Sequence, residues 1–93
     1  MKIMAYAKWD LKDWDKVSKK NTAIQEERKK FPNRYPKPLS VPYHQGTGKL
    51  IRLYEGTSEQ FANLAARWVP ELKWQFVTIF EGSDMEEALK RIK

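Results

Sequence analysis

Apolar side chains on both sides of the predicted strands constrain the fold of this chain more than any other feature. Successive residues of a strand point to opposite faces of its sheet, so a solvent-facing side normally consists of polar residues. In the segment 74–81, however, Trp74, Phe76 and Phe80 alternate with Val77 and Ile79. The first predicted strand, residues 2–9, is also apolar on both sides. The sheet therefore needs a cover on each face.

Local signals divide the first half of the chain into elements. Asp10 offers an N-cap oxygen after the first strand, and apolar residues then recur with helical spacing, which predicts a first helix to about residue 30 that Pro32 ends. Four prolines within residues 31–42 predict an extended connection, because proline lacks an N–H donor and cannot enter a central strand. This connection leads into an edge strand at 41–45, a hairpin turn at Gly46-Thr47-Gly48 and a strand at 49–55.

The second half of the chain adds a helix, a strand and a short final helix. Thr57 and Gln60 predict a capping box for a second helix that Pro70 stops or kinks. Residues 74–81 form the fourth strand. Ser83 and Glu86 predict another capping box at the start of the final helix.

This order of elements predicts an α+β fold of the ferredoxin-like βαββαβ type. We expect residues 1–93 to form one domain, with a four-stranded antiparallel sheet and a short C-terminal helix. Right-handed crossovers place both main helices on the same face, so the other face has no helical cover. We assign a small aliphatic side to the helices and an aromatic side to the uncovered face. The alternative is that one strand face is assigned the wrong way round and the aromatic residues are ordinary core. The first side comprises Ile3, Ala5, Ala7, Ile51, Leu53, Val77 and Ile79, and the second comprises Met4, Tyr6, Leu50, Tyr54, Trp74, Phe76 and Phe80.

A bare aromatic face of this size would exceed the apolar patch of roughly 300–600 Å² found on typical monomers. A second copy of the chain is the simplest cover, so we predict a homodimer that associates through the sheet faces. On this assignment Phe76→Asp would dissociate the dimer, because it buries an unpaired charge.

Three segments carry a resemblance to known proteins. They are the strand opening Lys2-Ile3-Met4-Ala5-Tyr6, the stretch from Gly48 to Gly56 with Thr57-Ser58-Glu59-Gln60 after it, and residues 62–68 followed by 72–76. In these segments, and over residues 2–92 as a whole, the chain resembles a family of small uncharacterised domains of the dimeric α+β barrel superfamily. The resemblance implies a barrel closed between two protomers, whose lumen in some members serves small-molecule oxidation, isomerisation or haem degradation. The Pro-rich connection departs from the short one typical of these barrels.

The positive charge is concentrated in one part of the chain. The net charge is +6, and residues 16–52 hold ten basic side chains against Glu26 and Glu27. Such a segment steers polyanions, and it also keeps small proteins soluble. A single-stranded RNA-binding module, which uses this basic segment and the aromatic sheet face, is therefore the alternative function. The strand at 49–55 lacks the aromatic and glycine signature of that module, so nucleic acid is not the favoured partner.

The candidate ligand-binding residues lie on the aromatic face. They are Tyr6, His44, Arg52, Tyr54, Trp74 and Phe76. With a three-residue turn at Gly46-Thr47-Gly48, His44 lies opposite Leu50 and shares a face with Arg52 and Tyr54, whereas a two-residue turn places it on the other face. An inward His44 and Arg52 would orient an anionic or enolisable ligand. The resulting hypothesis is a homodimer that holds a small apolar or anionic ligand between its sheets.

Composition excludes several other classes of function. The chain has no cysteine and one histidine, so thiol catalysis, disulfide frameworks and metal sites built on paired histidines are excluded. No catalytic constellation is present, and we expect neither a metal nor a cofactor. The apolar N-terminal stretch is interrupted at Lys8 and no apolar run can span a bilayer, so we expect a cytoplasmic protein with no membrane association.

Overall fold

The computed structural model describes residues 1–92, and within them it contains five strands and three α-helices. In chain order the elements are β1 (Lys2–Lys8), α1 (Trp14–Lys30), β2 (Lys37–Pro38), β3 (Tyr43–His44), β4 (Lys49–Glu55), α2 (Ser58–Trp68), β5 (Lys73–Thr78) and α3 (Gly82–Ile92). The fold is α+β, with an open antiparallel sheet. No helix among the described residues is long and apolar enough to cross a membrane.

The sheet has the strand order β2-β4-β1-β5, and β3 also pairs with β4. The described chain therefore has five strands where four were predicted: the edge strand predicted at 41–45 is shortened to β3, and part of the predicted Pro-rich connection pairs with β4 as β2. Lys37 and Pro38 pair with Glu55 and Tyr54. The N–H of Leu39 continues this ladder with a bond of 2.8 Å to the carbonyl of Leu53. Proline is tolerated here because the outer side of an edge strand needs no N–H donor.

The predicted hairpin is confirmed. His44 lies opposite Leu50, and the N–H of Gln45 donates to the carbonyl of Lys49 at 3.1 Å, which leaves a three-residue turn. Gly46 and Gly48 have φ values of +66° and +78°, a conformation that glycine adopts without strain.

Helix boundaries follow the local signals with two corrections. The capping box of Thr57 and Gln60 is confirmed, and α2 ends at Trp68, just before Pro70. Asp10 caps a 3₁₀ turn, Leu11–Asp13, so α1 itself begins later, at Trp14. The capping box predicted for Ser83 and Glu86 is wrong. Instead α3 begins at Gly82, and the side chain of Asp84 accepts a bond of 3.2 Å from the N–H of Glu81.

Both α1 and α2 cover the same face of the sheet. Val17 and Ile24 of α1 and Phe61, Leu64 and Trp68 of α2 form one buried cluster with the β1 residues Ile3, Ala5 and Ala7. The large residues of the neighbouring strands, Tyr54, Leu50, Trp74 and Phe76, also pack in or against this cluster.

The predicted division of the sheet into an aliphatic and an aromatic face is therefore wrong. Ala5 lies opposite Arg52 and Phe76, and Ala7 lies opposite Leu50 and Trp74, so the aromatic residues share the face of the small ones. Close packing explains this arrangement: small side chains on the central strand leave room for large ones on its neighbours, and the layer fills without voids.

An ion pair joins α1 to α2 at the edge of this core. The carboxylate of Glu27 accepts bonds from Arg67 Nε at 3.0 Å and Nη2 at 2.9 Å, and from the Tyr35 hydroxyl at 2.8 Å. The hydrogen bonds from Arg67 hold the pKa of Glu27 below its usual value, and the same pairing raises the pKa of Arg67. Burial next to Glu27 raises the pKa of Tyr35.

The last helix extends away from the body of the molecule. None of the described residues of α3 is buried, and its apolar stripe of Met85, Leu89 and Ile92 is 53%, 48% and 78% exposed. The radius of gyration is 15.3 Å, whereas a compact chain of this length has about 12 Å. The accessible surface of 6731 Å² exceeds by about 1,100 Å² the area expected of a monomer of this mass.

Candidate functional site

The face of the sheet opposite α1 and α2, called here the open face, carries an apolar band. Met4 lies opposite Leu53 and Val77, and Tyr6 lies opposite Ile51. These five residues form the apolar band. Tyr43, which pairs with Ile51, and Leu39, which bonds to Leu53, extend it toward the β2 edge. Tyr6 and Val77 are more than a third exposed, so the band is accessible to a ligand or a partner.

A line of three cations crosses the open face at one end of the band. Lys8 at the end of β1 lies directly opposite Lys49 at the start of β4 and Lys73 at the start of β5. All three side chains are exposed. These residues form the lysine row, whose Cα atoms lie within about 11 Å because paired strands are about 4.5–5.5 Å apart. Like charges directly opposite each other destabilise a sheet, so this row needs an explanation.

The lysine row has no direct ion pair among residues 1–92, although Asp10, Asp13 and Glu71 line a neighbouring cavity together with Lys8 and Lys73. Among residues 1–92, no carboxylate lies within 4.0 Å of any of its ammonium groups. The opposite end of the open face differs, because Lys2 lies opposite Glu55 and bonds to the carboxylate of Glu81. That hydrogen bond raises the pKa of Lys2 and lowers the pKa of Glu81. The two ends of the face thus differ in direct ion pairing: the lysines at one end have none among the described residues, and Lys2 at the other end is paired.

A cavity of about 330 Å³ lies at the lysine row. Its polar lining consists of Tyr6, Lys8, Gln45, Lys49, Lys73 and Gln75. The charged side chains that line it are all cationic, and the amides of Gln45 and Gln75 can donate or accept hydrogen bonds. Its volume lies at the lower end of the range of about 300–1,000 Å³ for small-molecule sites.

The six predicted ligand-binding residues do not lie together on the open face. Tyr6 does lie there, as predicted. Tyr54 is buried in the core, and Trp74 and Phe76 pack against it under the helices. The rings of Trp74 and Phe76 stack on each other with their centroids 5.5 Å apart. Trp74 reaches the lining of the same cavity as Tyr6, at the end of β1, whereas Tyr54 and Phe76 do not line it. Whether any of these residues contacts a ligand stays a prediction.

Arg52 also lies on the helix-covered side, where local contacts hold it. Its Nε donates to the carbonyl of Ser40 at 3.0 Å, and its guanidinium lies 5.6 Å from the centre of the Tyr54 ring. The Arg28 guanidinium lies 5.9 Å from the same ring, and burial lowers the pKa of Arg28. Arg52 thus belongs to the packing between β4 and the connection that follows α1.

His44 lies at a separate cavity of about 240 Å³ near the hairpin. Its ring meets Trp9 edge-on at 6.1 Å, and Trp9 stacks on Trp14 at 6.0 Å. The three-residue turn places it on the face of Arg52 and Tyr54, as predicted, but that face is the one covered by helices. Among residues 1–92 no hydrogen bond orients the His44 ring, and no cluster of three potential metal ligands occurs.

The lysine row was not identified from the sequence, although a signal for it exists. In an antiparallel sheet, the end of β1 lies beside the starts of both neighbouring strands. Lys8 near the end of the first predicted strand, Lys49 at the start of the third and Lys73 just before the last therefore indicate three cations close together. Gln45 and Gln75 carry no comparable signal, because isolated glutamines are common on exposed strands.

Comparisons of this chain with models of protein families, with curated proteins and with solved structures find no match.

Proposed function

We propose that this chain is a homodimeric domain of ferredoxin-like topology, that two copies cover each other's open faces, and that a small apolar or anionic ligand binds between them. The strand order supports the topology, with β2 and β3 sharing the position of one edge strand. The single observation that carries the proposal is the apolar band, which no element of the described chain covers.

The surface area of the chain supports this proposal. A standard protein–protein interface buries about 800 Å² on each partner. The accessible surface of 6731 Å² is about 1,100 Å² larger than expected for a monomer, so the excess is of the size that one interface removes. The apolar stripe of α3 contributes to this excess. Besides the apolar band, this stripe is a second apolar surface that association would bury.

Charged substitutions test the proposal. Leu53→Asp puts a carboxylate in the apolar band, and burying it without a partner strongly opposes association. Leu89→Asp does the same on the stripe of α3. Ala23→Asp, at an exposed position of α1, is the matched control. We expect the unmodified chain and Ala23→Asp to sediment at twice the 11.0 kDa chain mass, and Leu53→Asp to sediment at the chain mass. A Leu53→Asp protein that remains dimeric would refute an interface at the open face.

Leu89→Asp locates the interface more closely. A monomeric Leu89→Asp protein would place the stripe of α3 within the interface. A dimeric one would restrict the interface to the sheet. Folding of each variant is checked by its thermal transition.

Binding of single-stranded RNA to the open face is the second candidate function. Tyr6 on the central strand favours it, because an exposed aromatic ring next to cations can stack a base. Most of the basic segment does not support it, since Lys16, Lys19, Lys20, Lys29 and Lys30 belong to α1, which covers the other side of the sheet. RNA would compete with the second copy of the chain. A labelled oligouridine that binds and lowers the sedimenting mass would favour this candidate over the dimer.

A further inference from the structure

The cavity at the lysine row has the chemistry of a site for a phosphate group with an aromatic ring next to it. We propose that Lys8, Lys49 and Lys73 bind the phosphate of a nucleotide and that Tyr6 stacks on its base. This inference rests on the proposed function only in giving the open face a ligand. It does not depend on the dimer.

Three ammonium groups along one line suit phosphate better than carboxylate. Lysine presents a compact charge with three donors that rotate freely, and it binds phosphate as a point charge. Planar carboxylates are recognised more often by the two-pronged contact of arginine, and no arginine lines this cavity. A polyanion that contacts all three lysines also relieves the repulsion between neighbouring strands. A phosphate group is therefore the anion that this lining fits best.

Tyr6 supplies the second part of the recognition. It is two residues before Lys8 on β1, so its ring lies on the same face, about 6.6 Å along the strand from the central lysine of the row. The side chain is 37% exposed, which leaves ring surface for a planar group. Gln45 and Gln75 line the same cavity and offer hydrogen bonds to polar edges of a base.

The placement of the lysines is hard to explain by solubility alone. Charges that serve only solubility can be anywhere on the surface, whereas these three are at paired positions of three adjacent strands, where they repel one another. The other end of the same face shows the ordinary arrangement, with Lys2 opposite Glu55. The contrast between the two ends points to an anion that the lysine row binds.

Calorimetric titration of the full chain with AMP, adenosine and inorganic phosphate tests the proposal. At about 50 mM salt we expect AMP to bind saturably and more tightly than either adenosine or phosphate alone, because it contacts both the row and the ring. Lys8→Gln should weaken AMP binding about tenfold, since it removes the central charge-assisted contact. Lys19→Gln removes the same charge from α1 and should change the affinity less than about twofold.

Tyr6→Leu separates the two parts of the site. It should weaken AMP binding while leaving the affinity for inorganic phosphate unchanged, because leucine keeps apolar bulk and loses the ring. The proposal is wrong if AMP binds no better than adenosine, or if Lys8→Gln and Lys19→Gln have equal effects. Thermal unfolding shows that each variant is folded, and its sedimenting mass shows whether a loss of binding accompanies a change in assembly. A monomeric protein that still binds AMP through Lys8 would refute the dimer and uphold this site.

An oligoadenylate of about ten nucleotides distinguishes the two sources of the ligand. If the strand binds far more tightly than AMP and Lys8→Gln weakens both, the lysine row serves a nucleic-acid strand. If the strand binds no more tightly than AMP, the site serves a free nucleotide. Both results uphold a phosphate-and-ring site, and binding of the strand that is insensitive to Lys8→Gln and Tyr6→Leu would overturn it.

Discussion

Met4 of β1 lies directly opposite Leu53 of β4, on the side of the sheet that none of the described helices covers. The next residue of β1, Ala5, is fully buried under α1 and α2. Neighbouring positions of a strand therefore meet quite different surroundings although both are apolar. The neighbouring residues Phe76 and Val77 of β5 show the same contrast.

Substitution by aspartate should affect the stability of the fold at Phe76 and the association of the dimer at Val77. Phe76 packs on Phe61 at 5.2 Å under the helices, whereas Val77 belongs to the apolar band. Phe76→Asp should lower the free energy of unfolding by about 3 kcal/mol or more, because it removes an aromatic side chain from the core and leaves a charge there. Val77→Asp should cost the fold about 1 kcal/mol or less and should dissociate the dimer.

Urea unfolding and sedimentation, measured on both variants, check this pair. A Phe76→Asp protein that is as stable as the unmodified chain but monomeric would contradict this assignment, because Phe76 would then lie on the face that the second copy covers. The earlier expectation that Phe76→Asp acts mainly on the dimer is thus replaced by an effect on the fold itself.

The Glu27–Arg67 pair should make stability depend on acid pH. Because the pKa of Glu27 is lowered in the folded state, its contribution is complete above the unfolded value of about 4.3 and is lost as the pH falls through the folded pKa. Glu27→Gln should therefore cost about 1–2 kcal/mol near neutral pH. The difference from the unmodified chain should shrink as the pH falls below about 4.

Glu26→Gln is the control for this effect. Glu26 is the neighbouring residue, is largely exposed and, among residues 1–92, pairs only with Lys29 on the same helix, so its removal should change stability little at any pH. Equal pH dependence in the two variants would show that the pair between α1 and α2 does not hold Glu27 ionised.

Replacing the central lysine of the row should stabilise the sheet in the absence of ligand. Lys8→Glu turns two repulsive cross-strand pairs into attractive ones, so we expect the free energy of unfolding to rise by about 1 kcal/mol. Lys8→Gln removes only the repulsion and should give a smaller rise. Both gains should shrink in about 1 M salt, where charges are screened within about 3 Å. A loss of stability in Lys8→Glu would mean that the three lysines do not repel one another as their pairing implies.

Elements set by local signals were predictable from the sequence. The glycines at 46 and 48 mark the hairpin turn, and Thr57 with Gln60 marks the start of α2. The bounds of β4 agree with the prediction. These features depend on backbone conformation and on hydrogen bonds between residues close in sequence, so few residues suffice to recognise them.

The faces of the sheet were not predictable in the same way. When both sides of a strand are apolar, alternation does not indicate which side is the core. The pairing of Ala5 with Arg52 and Phe76 decides which side is the core, and that pairing joins residues far apart in sequence. For this reason the candidate ligand-binding residues on β4 and β5 were assigned to the open face although they lie on the helix-covered face. The ends of the predicted strands indicate the lysine row only approximately, because Lys73 precedes the predicted last strand and the pairing of the three lysines depends on the register.

Sedimentation equilibrium of the unmodified chain at micromolar concentration tests the central claim most directly. If a second copy covers the apolar band, the mass should be twice the chain mass of 11.0 kDa. A mass of 11.0 kDa that holds across the concentration range would contradict the claim, because the open face would then be exposed to water in a stable monomer.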